Sequence, residues 1–326
     1  MKINSKLGDL VNIKTGKLDA NAAVYNGKYP FFTTSEETFK INTYAYDDEA
    51  VLVAGNGNLN VKYFHGKFNA YQRTYILTKK EDVKVNMKYI YYFLDKYLDI
   101  LRSLSIGGVI KYIKLENLVS PILNLPTMET QNKIVKKLDS LKEILDIQNK
   151  KLNLLSDFNK SLFTRMFGDI KNNDKNWKMN YWKDVLNIKN GKNQKQVEDI
   201  NGKYPIYGSG GIIGYSNAYI CNENTIIIGR KGNINKPILV KEKFWNVDTA
   251  FGLEAKKEEI SHYYLYYFCL FYNFEIHNKA VTIPSLVKSD LEKILLPTPP
   301  IELQNKFSER VERIEKLSFR YFEAVA

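Results

Sequence analysis

The pentapeptide NGKYP stands at Asn26–Pro30 and again at Asn201–Pro205, 175 residues later. Working outward from it, residues 7–60 align with 182–235 without a gap, and 16 of those 54 positions are identical. Chance would supply about three at ordinary residue usage. VLVAGNGNLN (51–60) falls on IIIGRKGNIN (226–235), and YIYYFL (89–94) falls on YLYYFC (264–269) at the same offset. LPTMETQNKI (125–134) meets TPPIELQNKF (298–307) at an offset of 173. The 326-residue chain is thus one unit of about 170 residues written twice.

Each unit has two parts. The first part, residues 1–125 and again 177–298, carries short β-branched and aromatic runs such as AVLVAG and TIIIG between Gly, Asn and Asp punctuation. These read as strands and turns. A helical stretch sits inside each, Met87–Leu104 and His262–Phe274, so the part is a mixed α+β domain. The second part differs. Thr127 to Phe167 holds neither Gly nor Pro, between Pro126 and Gly168. Ile134, Leu138, Leu141, Leu145, Leu152, Leu155, Leu162 and Met166, with Gln148 and Asn159, form a heptad seam. This predicts a long helix over 126–168, about 60 Å in length at 1.5 Å per residue. Phe307, Val311 and Ile314 begin the same seam in a shorter helix over 299–326. Two helices in one chain bury such a seam most simply as an antiparallel pair. A full second copy of the helix would run past residue 326. The expectation is that the far end of the first helix, Leu155–Met166, lacks part of its partner and is covered by another chain.

Lys and Arg total 48 against 36 acidic residues, a formal charge of +12, which points to a polyanion such as nucleic acid or an anionic membrane. Only seven of the basic residues are Arg, and Arg73 and Arg230 stand in Gly- and Asn-rich regions where a bidentate reader is useful. Cys221, Cys269 and three His give no zinc spacing. The N-terminus MKINSKLGDL has no apolar core, and the most apolar run, Tyr263–Tyr272, is too short to cross a bilayer. A cytoplasmic protein with no membrane partner is expected. Gly208, Gly210 and Gly214 have the wrong spacing for a dinucleotide fingerprint.

The order domain, long helix, domain, helix resembles the DNA specificity subunit of type I restriction-modification systems. GKYPIYGSGGIIGY (202–215), IIIGRKGNIN (226–235) and TIPSLVKSDLEKILLPTPPIELQNKF (282–307) carry the resemblance. It implies an α+β fold of two pseudo-symmetric globular target recognition domains, joined and spaced by long helices packing as an antiparallel coiled coil. Each domain would read one half of a split, asymmetric site on double-stranded DNA. The chain would itself be non-catalytic and would hold no cofactor. It would dock two modification subunits, which methylate adenine with S-adenosylmethionine, and a restriction (translocase) subunit. Self-association through the coiled coil is a further expectation. The rival from the residues alone is a basic coiled-coil scaffold or adaptor without DNA readout. An enzyme would need a catalytic cluster, and no DPPY- or NPPY-like motif is found in the sequence.

Candidate DNA contacts follow from residue chemistry. In GRKGN, Arg230, Lys231 and Asn233 sit between glycines that admit a phosphate, and the plain alternative is a surface hairpin. The counterpart GNGN offers Asn56 and Asn58, suited to adenine edges, although Asn-Gly is also a hairpin-turn signal. Ser209 in YGSGG and Thr33 and Thr34 in FTTS occupy the equivalent turn. YQRT adds Gln72 and Arg73. Thr282, Ser285 and Lys288 in the second domain, and Lys111 and Lys114 in the first, flank what reads as each domain's last strand. Lys28 and Lys203, identical in both copies, suit a shared phosphate contact rather than base discrimination. The repeated tyrosine-rich stripe reads as core or interface rather than as a base-stacking platform.

Overall fold

The computed structural model describes residues 3–280 and 282–323. The chain falls into two compact units, the first ending at Ile147 and the second beginning at Gln148.

The first unit runs β1 (Ile3–Lys6), α1 (Leu7–Leu10), β2 (Val11–Thr15), β3 (Tyr29–Phe32), β4 (Phe39–Ile41), β5 (Tyr46–Ala54), β6 (Val61–Ala70), β7 (Thr74–Lys79), α2 (Met87–Leu104), α3 (Glu116–Val119), β8 (Ile122–Leu125) and the start of α4 (Met128–Phe167). Six strands pair in the order β2-β7-β5-β6-β3-β4. All are antiparallel except β3 with β6. The apolar end of β5, Ala50–Ala54, is buried on both faces, which is why it reads as a continuous run rather than an alternation. On one side α2 covers the sheet with Met87, Ile90, Leu94 and Leu101, a helical spacing.

The second unit repeats this plan as β9 (Lys178–Tyr181), α5 (Trp182–Val185), β10 (Leu186–Asn190), β11 (Tyr204–Gly208), β12 (Gly211–Ser216), β13 (Thr225–Gly229), β14 (Ile238–Val240), β15 (Trp245–Asn246), β16 (Ala250–Ala255), α6 (His262–Phe271), α7 (Lys288–Leu291), β17 (Leu295–Thr298) and α8 (Ile301–Glu323). Its sheets run β10-β16-β13-β14 and β12-β11-β15. The counterpart of β6 is interrupted between β14 and β15, so one six-stranded sheet becomes two. Registers repeat as well. Ile3 faces Leu125 in the first unit, and Lys178 faces Thr298 in the second.

NGKYP leads into β3 and β11. A Cβ on Gly27 would lie 2.3 Å from the Ile41 amide nitrogen, and one on Gly202 would lie 2.4 Å from that of Ser216. Only glycine lets the neighbouring strand approach so closely. Its lysines lie over the next ring, Lys28 Nζ 5.4 Å from Tyr29 and Lys203 Nζ 5.4 Å from Tyr204. Those rings meet Tyr44 at 5.0 Å and Tyr219 at 5.1 Å. NGKYP is framework in both copies.

One buried glutamine ties each tyrosine-rich helix to a long helix. The Asn86 amide donates to Gln131 Oε1 at 2.9 Å, and Gln131 Nε2 donates to Pro126 O at 2.9 Å. In the second unit the Ser261 amide donates to Gln304 Oε1 at 2.9 Å, and Gln304 Nε2 donates to Pro299 O at 2.8 Å. Asn86 and Ser261 are the N-caps of α2 and α6. The same helices are tied a second time. Tyr89 donates to Asn124 O at 3.0 Å, and Tyr264 donates to Pro297 O at 2.6 Å. The tyrosine stripe of α6 is core, with Tyr263, Tyr264, Tyr267 and Phe268 all buried.

The long helix forms over the expected span, with its buried face shifted at its C-terminal end. Its last turns bury the seam residue Asn159 and then Phe163 and Phe167, each one position beyond the half-buried seam residues Leu162 and Met166. Phe163 stacks on Tyr264 at 5.4 Å and meets Phe307 of α8 edge-on at 5.6 Å. The Leu155–Met166 end is therefore not the uncovered one, since α6 and the start of α8 pack there. Leu141, Leu145 and Leu152, in the middle of the helix, are the exposed seam residues. A heptad assumes a helical partner along its whole length, whereas this end packs on an aromatic globular core. α6 also ends at Phe271, and a short 3-10 turn at Phe274–His277 follows.

Gln304→Ala strands the Ser261 amide and two carbonyls in a buried site, so it should cost about 2–3 kcal/mol of stability in denaturant unfolding. A second prediction concerns α2 and α4. Burial raises the Asp139 carboxyl, but the hydrogen bonds from Lys88 Nζ and Tyr92 Oη, both 2.7 Å, outweigh it and hold the pKa below its usual value. A depressed carboxylate pKa stabilises the fold above the unfolded pKa, about 4, and loses that contribution as pH falls through the folded value. Urea midpoints measured from pH 6 to pH 2.5 should fall less steeply in Asp139→Asn than in the parent.

Candidate nucleic-acid interface

In each unit the strand ends bring four loops together. In the first, the Gly55 amide, just past β5, donates to Arg73 O at 2.8 Å. The Ile113 amide donates to Gly55 O at 2.9 Å, and the Gly57 amide to Lys111 O at 2.9 Å. The β3–β4 turn joins through Asn60 Nδ2, which donates to Thr34 O at 2.9 Å. Thr34, Asn56, Asn58, Gln72, Arg73 and Lys111 are therefore neighbours on one surface.

The second unit repeats the three backbone bonds, while Asn235, the counterpart of Asn60, bonds Asn273 and the Phe274 amide instead. The Arg230 amide donates to Thr249 O at 2.8 Å, the Leu286 amide to Arg230 O at 2.9 Å, and the Gly232 amide to Pro284 O at 3.0 Å. Asn56 forms a β-bridge with Tyr112, and Lys231 forms one with Ser285. Gly57 and Gly232 make these loops possible, with φ of +70° and +80°. Ser209 lies at the edge of the cluster, its Oγ 4.0 Å from where a Gly232 Cβ would be. Asn233 Nδ2 approaches the Gly210 position to 3.6 Å by the same measure. Arg230, Lys231, Asn233, Ser209 and Ser285 thus share one surface, with Thr282 exposed on the loop that carries Ser285.

Side-chain states divide the candidates. Arg73, Lys111, Lys231 and Gln72 are exposed. Arg230 is exposed too, with one Nη1 donating to Asp248 O at 3.4 Å and its guanidinium 5.9 Å from the Phe251 ring. That leaves most of its donor fork facing solvent. Asn58 is engaged, donating to Glu36 Oε1 at 2.8 Å. Thr33 is buried, and its Oγ1 accepts the Ser35 amide at 3.2 Å, so it shapes the turn. Lys62 supports the same turn by donating to Ser35 O and Glu37 O, and burial holds its pKa below the ordinary lysine value.

Lys114 and Lys288 stand apart. The Lys114 amide donates to Asn117 Oδ1 at 2.8 Å, and its position precedes α3. Lys288 opens α7, and its Nζ donates to Ile188 O at 2.9 Å, so it is a strut against β10. The segment 282–287 contains no strand beyond the single bridge at Ser285. The last strand of the unit is β17, so the expectation of a strand flanked by Thr282 and Lys288 is corrected. The sequence reading missed Asp248 and Thr249, which occupy the place of Gln72 and Arg73. The offset between units has moved from 175 to 176 there, as the pairing of Val11 with Lys79 and of Leu186 with Ala255 records.

The model of the type I restriction modification DNA specificity domain matches residues 2–156 and again residues 174–320. The chain belongs to that family. Over 136 residues it is 41% identical to the EcoDI type I restriction enzyme specificity subunit of Escherichia coli, a match covering 42% of this chain and 30% of that protein. Over 338 residues it is 21% identical to a Haemophilus influenzae chain assigned as a type I restriction enzyme specificity subunit, covering 90% and 82%. The crystal structure of the S subunit of a type I restriction-modification system from M. genitalium shares the fold, with a TM-score of 0.70 at 18% identity over 99% of this chain and 92% of that one. Among the described residues no helix is long and apolar enough to cross a membrane.

Gly232→Ala meets only Ser209 Oγ, at an ordinary contact distance of 4.0 Å, but must hold φ near +80°, so it should cost about 1 kcal/mol through backbone strain. Thermal unfolding of the full chain, beside the matched Gly57→Ala, checks that the two loops respond alike.

Proposed function

We propose that this chain is the DNA-reading subunit of a type I restriction-modification complex, and that each unit reads one half of a bipartite, asymmetric site. The observation that carries this reading is the pair of loop clusters. Their backbone bonds are the same, yet their side chains differ: Asn56 stands against Lys231, Gln72-Arg73 against Asp248-Thr249, and Lys111 against Pro284. One scaffold with two sets of edge groups suits two different half-sites.

In this reading the chain carries no catalysis and no cofactor. It docks modification subunits that methylate adenine with S-adenosylmethionine, and a restriction subunit that cleaves. The halves of such a site would lie one helical turn of DNA, about 34 Å, or a multiple of it, apart. Arg73, Arg230, Lys111 and Lys231 are the polyanion contacts, with Asn56, Asn233, Gln72 and Ser209 at base edges.

A mobility-shift series tests the reading. The chain alone should bind random duplex weakly, and the complex with modification subunits should bind one site tightly. A pure scaffold would show neither. Within the complex, Lys231→Ala should lower the slope of log K against log salt by about one, since one phosphate contact is lost. Lys288→Ala should leave that slope unchanged and lower only stability, because its ammonium is bonded inward.

A further inference from the structure

Each unit carries an exposed isoleucine beside its interface loop. Ile110 is 62% exposed and Ile283 is 60% exposed. They lie 173 residues apart, the offset that also superposes β8 on β17. Each directly precedes the residue, Lys111 or Pro284, whose carbonyl accepts the amide of Gly57 or Gly232. In the first unit the loop is pinned at its base. The Ile106 amide donates to Tyr112 O at 3.0 Å, and the Tyr112 amide donates to Ile106 O at 2.8 Å.

A single exposed aliphatic residue is ordinary on a protein surface. The repetition here is not. Across GGVIKYIKLENL (107–118) and AVTIPSLVKSDL (280–291) only two positions are identical. One is Leu118 and Leu291, both fully buried, where the core dictates the residue. The other is Ile110 and Ile283, where the core dictates nothing. A group kept in both loops at full view of solvent, among Arg, Lys and Asn, points to the ligand those neighbours face.

We propose that Ile110 and Ile283 are apolar base readers, each pressing on the C5-methyl group of a thymine in the half-site its unit reads. This rests on the DNA-reading function above and names one chemical group it recognises. In the major groove the thymine methyl is the apolar feature that distinguishes a base pair, and hydrogen-bonding side chains cannot read it. Asn56 and Asn233, on the bonded neighbouring loops, serve the polar edges. The competing use of an exposed aliphatic side chain is as a wedge between base steps. That requires unstacking at several kcal/mol per step, which one isoleucine offsets poorly, whereas a methyl contact requires none. Beside Ile110 stands the fully exposed Val109, and Thr282 takes that place in the second unit. The first tip is therefore the more apolar of the two.

The test uses the full chain complexed with modification subunits, on its own methylated site, with each thymine replaced in turn by deoxyuridine. The parent should lose roughly fourfold in affinity at one thymine in each half, the worth of one buried methyl. Ile110→Ala should erase that difference in one half only, and Ile283→Ala in the other. Both side chains are exposed, so unfolding midpoints should stay at the parent value. Retention of the full thymine preference in both variants would overturn the proposal, as would a parent indifferent to every replacement. Uniform weakening with altered DNA bending would assign a wedge and overturn it too. If the parent complex binds no site in preference to random duplex, the functional reading fails and takes this contact with it.

Discussion

The hydrogen bond from an N-cap amide to a buried glutamine, made once in each unit, is the constraint on which the arrangement of elements depends. Gln131 and Gln304 sit in the first turn of the long helices, where backbone donors and acceptors lack helical partners. Each side chain accepts from the start of α2 or α6 and donates to a carbonyl of the segment leaving β8 or β17. Three elements are thereby fixed at one buried point. A misplaced helix would leave several polar groups unpaired at once, and that penalty exceeds the gain of any single bond. A second bond, from Tyr89 or Tyr264, repeats the tie further along the same helix.

With the framework held in this way, the loops at the strand ends are free to differ. Backbone-to-backbone bonds define them, and these bonds do not depend on the side chain at Asn56 or Lys231. The same economy explains the interrupted β6 counterpart: the second unit breaks a strand into β14 and β15, yet β13 and β16 keep their pairing. In the proposed function, divergence of specificity is thus separated physically from maintenance of the fold.

Much of the fold was legible in the chain, because duplication is read without any physics of packing. NGKYP, the absence of Gly and Pro from Thr127 to Phe167, and the α2 limits at Met87 and Leu104 all survive in the structure. The side-chain partners were less legible. The QNK identity in both units marks an alignment, while its buried glutamine bond depends on a helix start 45 residues away in the first unit and 43 in the second. The helix seam was read with a 3.5-residue period, but its end packs Phe163 and Phe167 on an aromatic core, where the straight helical period of 3.6 decides which face is buried. Lys288 reads as a candidate DNA contact because sequence gives charge and not direction; its ammonium donates to Ile188 O and faces Glu292 at 3.7 Å. Asp248 and Thr249 were hidden by one inserted residue in the repeat.

The central claim is that two structurally equivalent clusters act as independent readers. It is tested most directly by transplanting the second unit's first part, residues 177–298, from a family member of different specificity and mapping methylated sites across a host genome. The account predicts that one half of the recognised site changes, while the other half and the spacing between them stay as before. Simultaneous change in both halves, or an unchanged site, would contradict it.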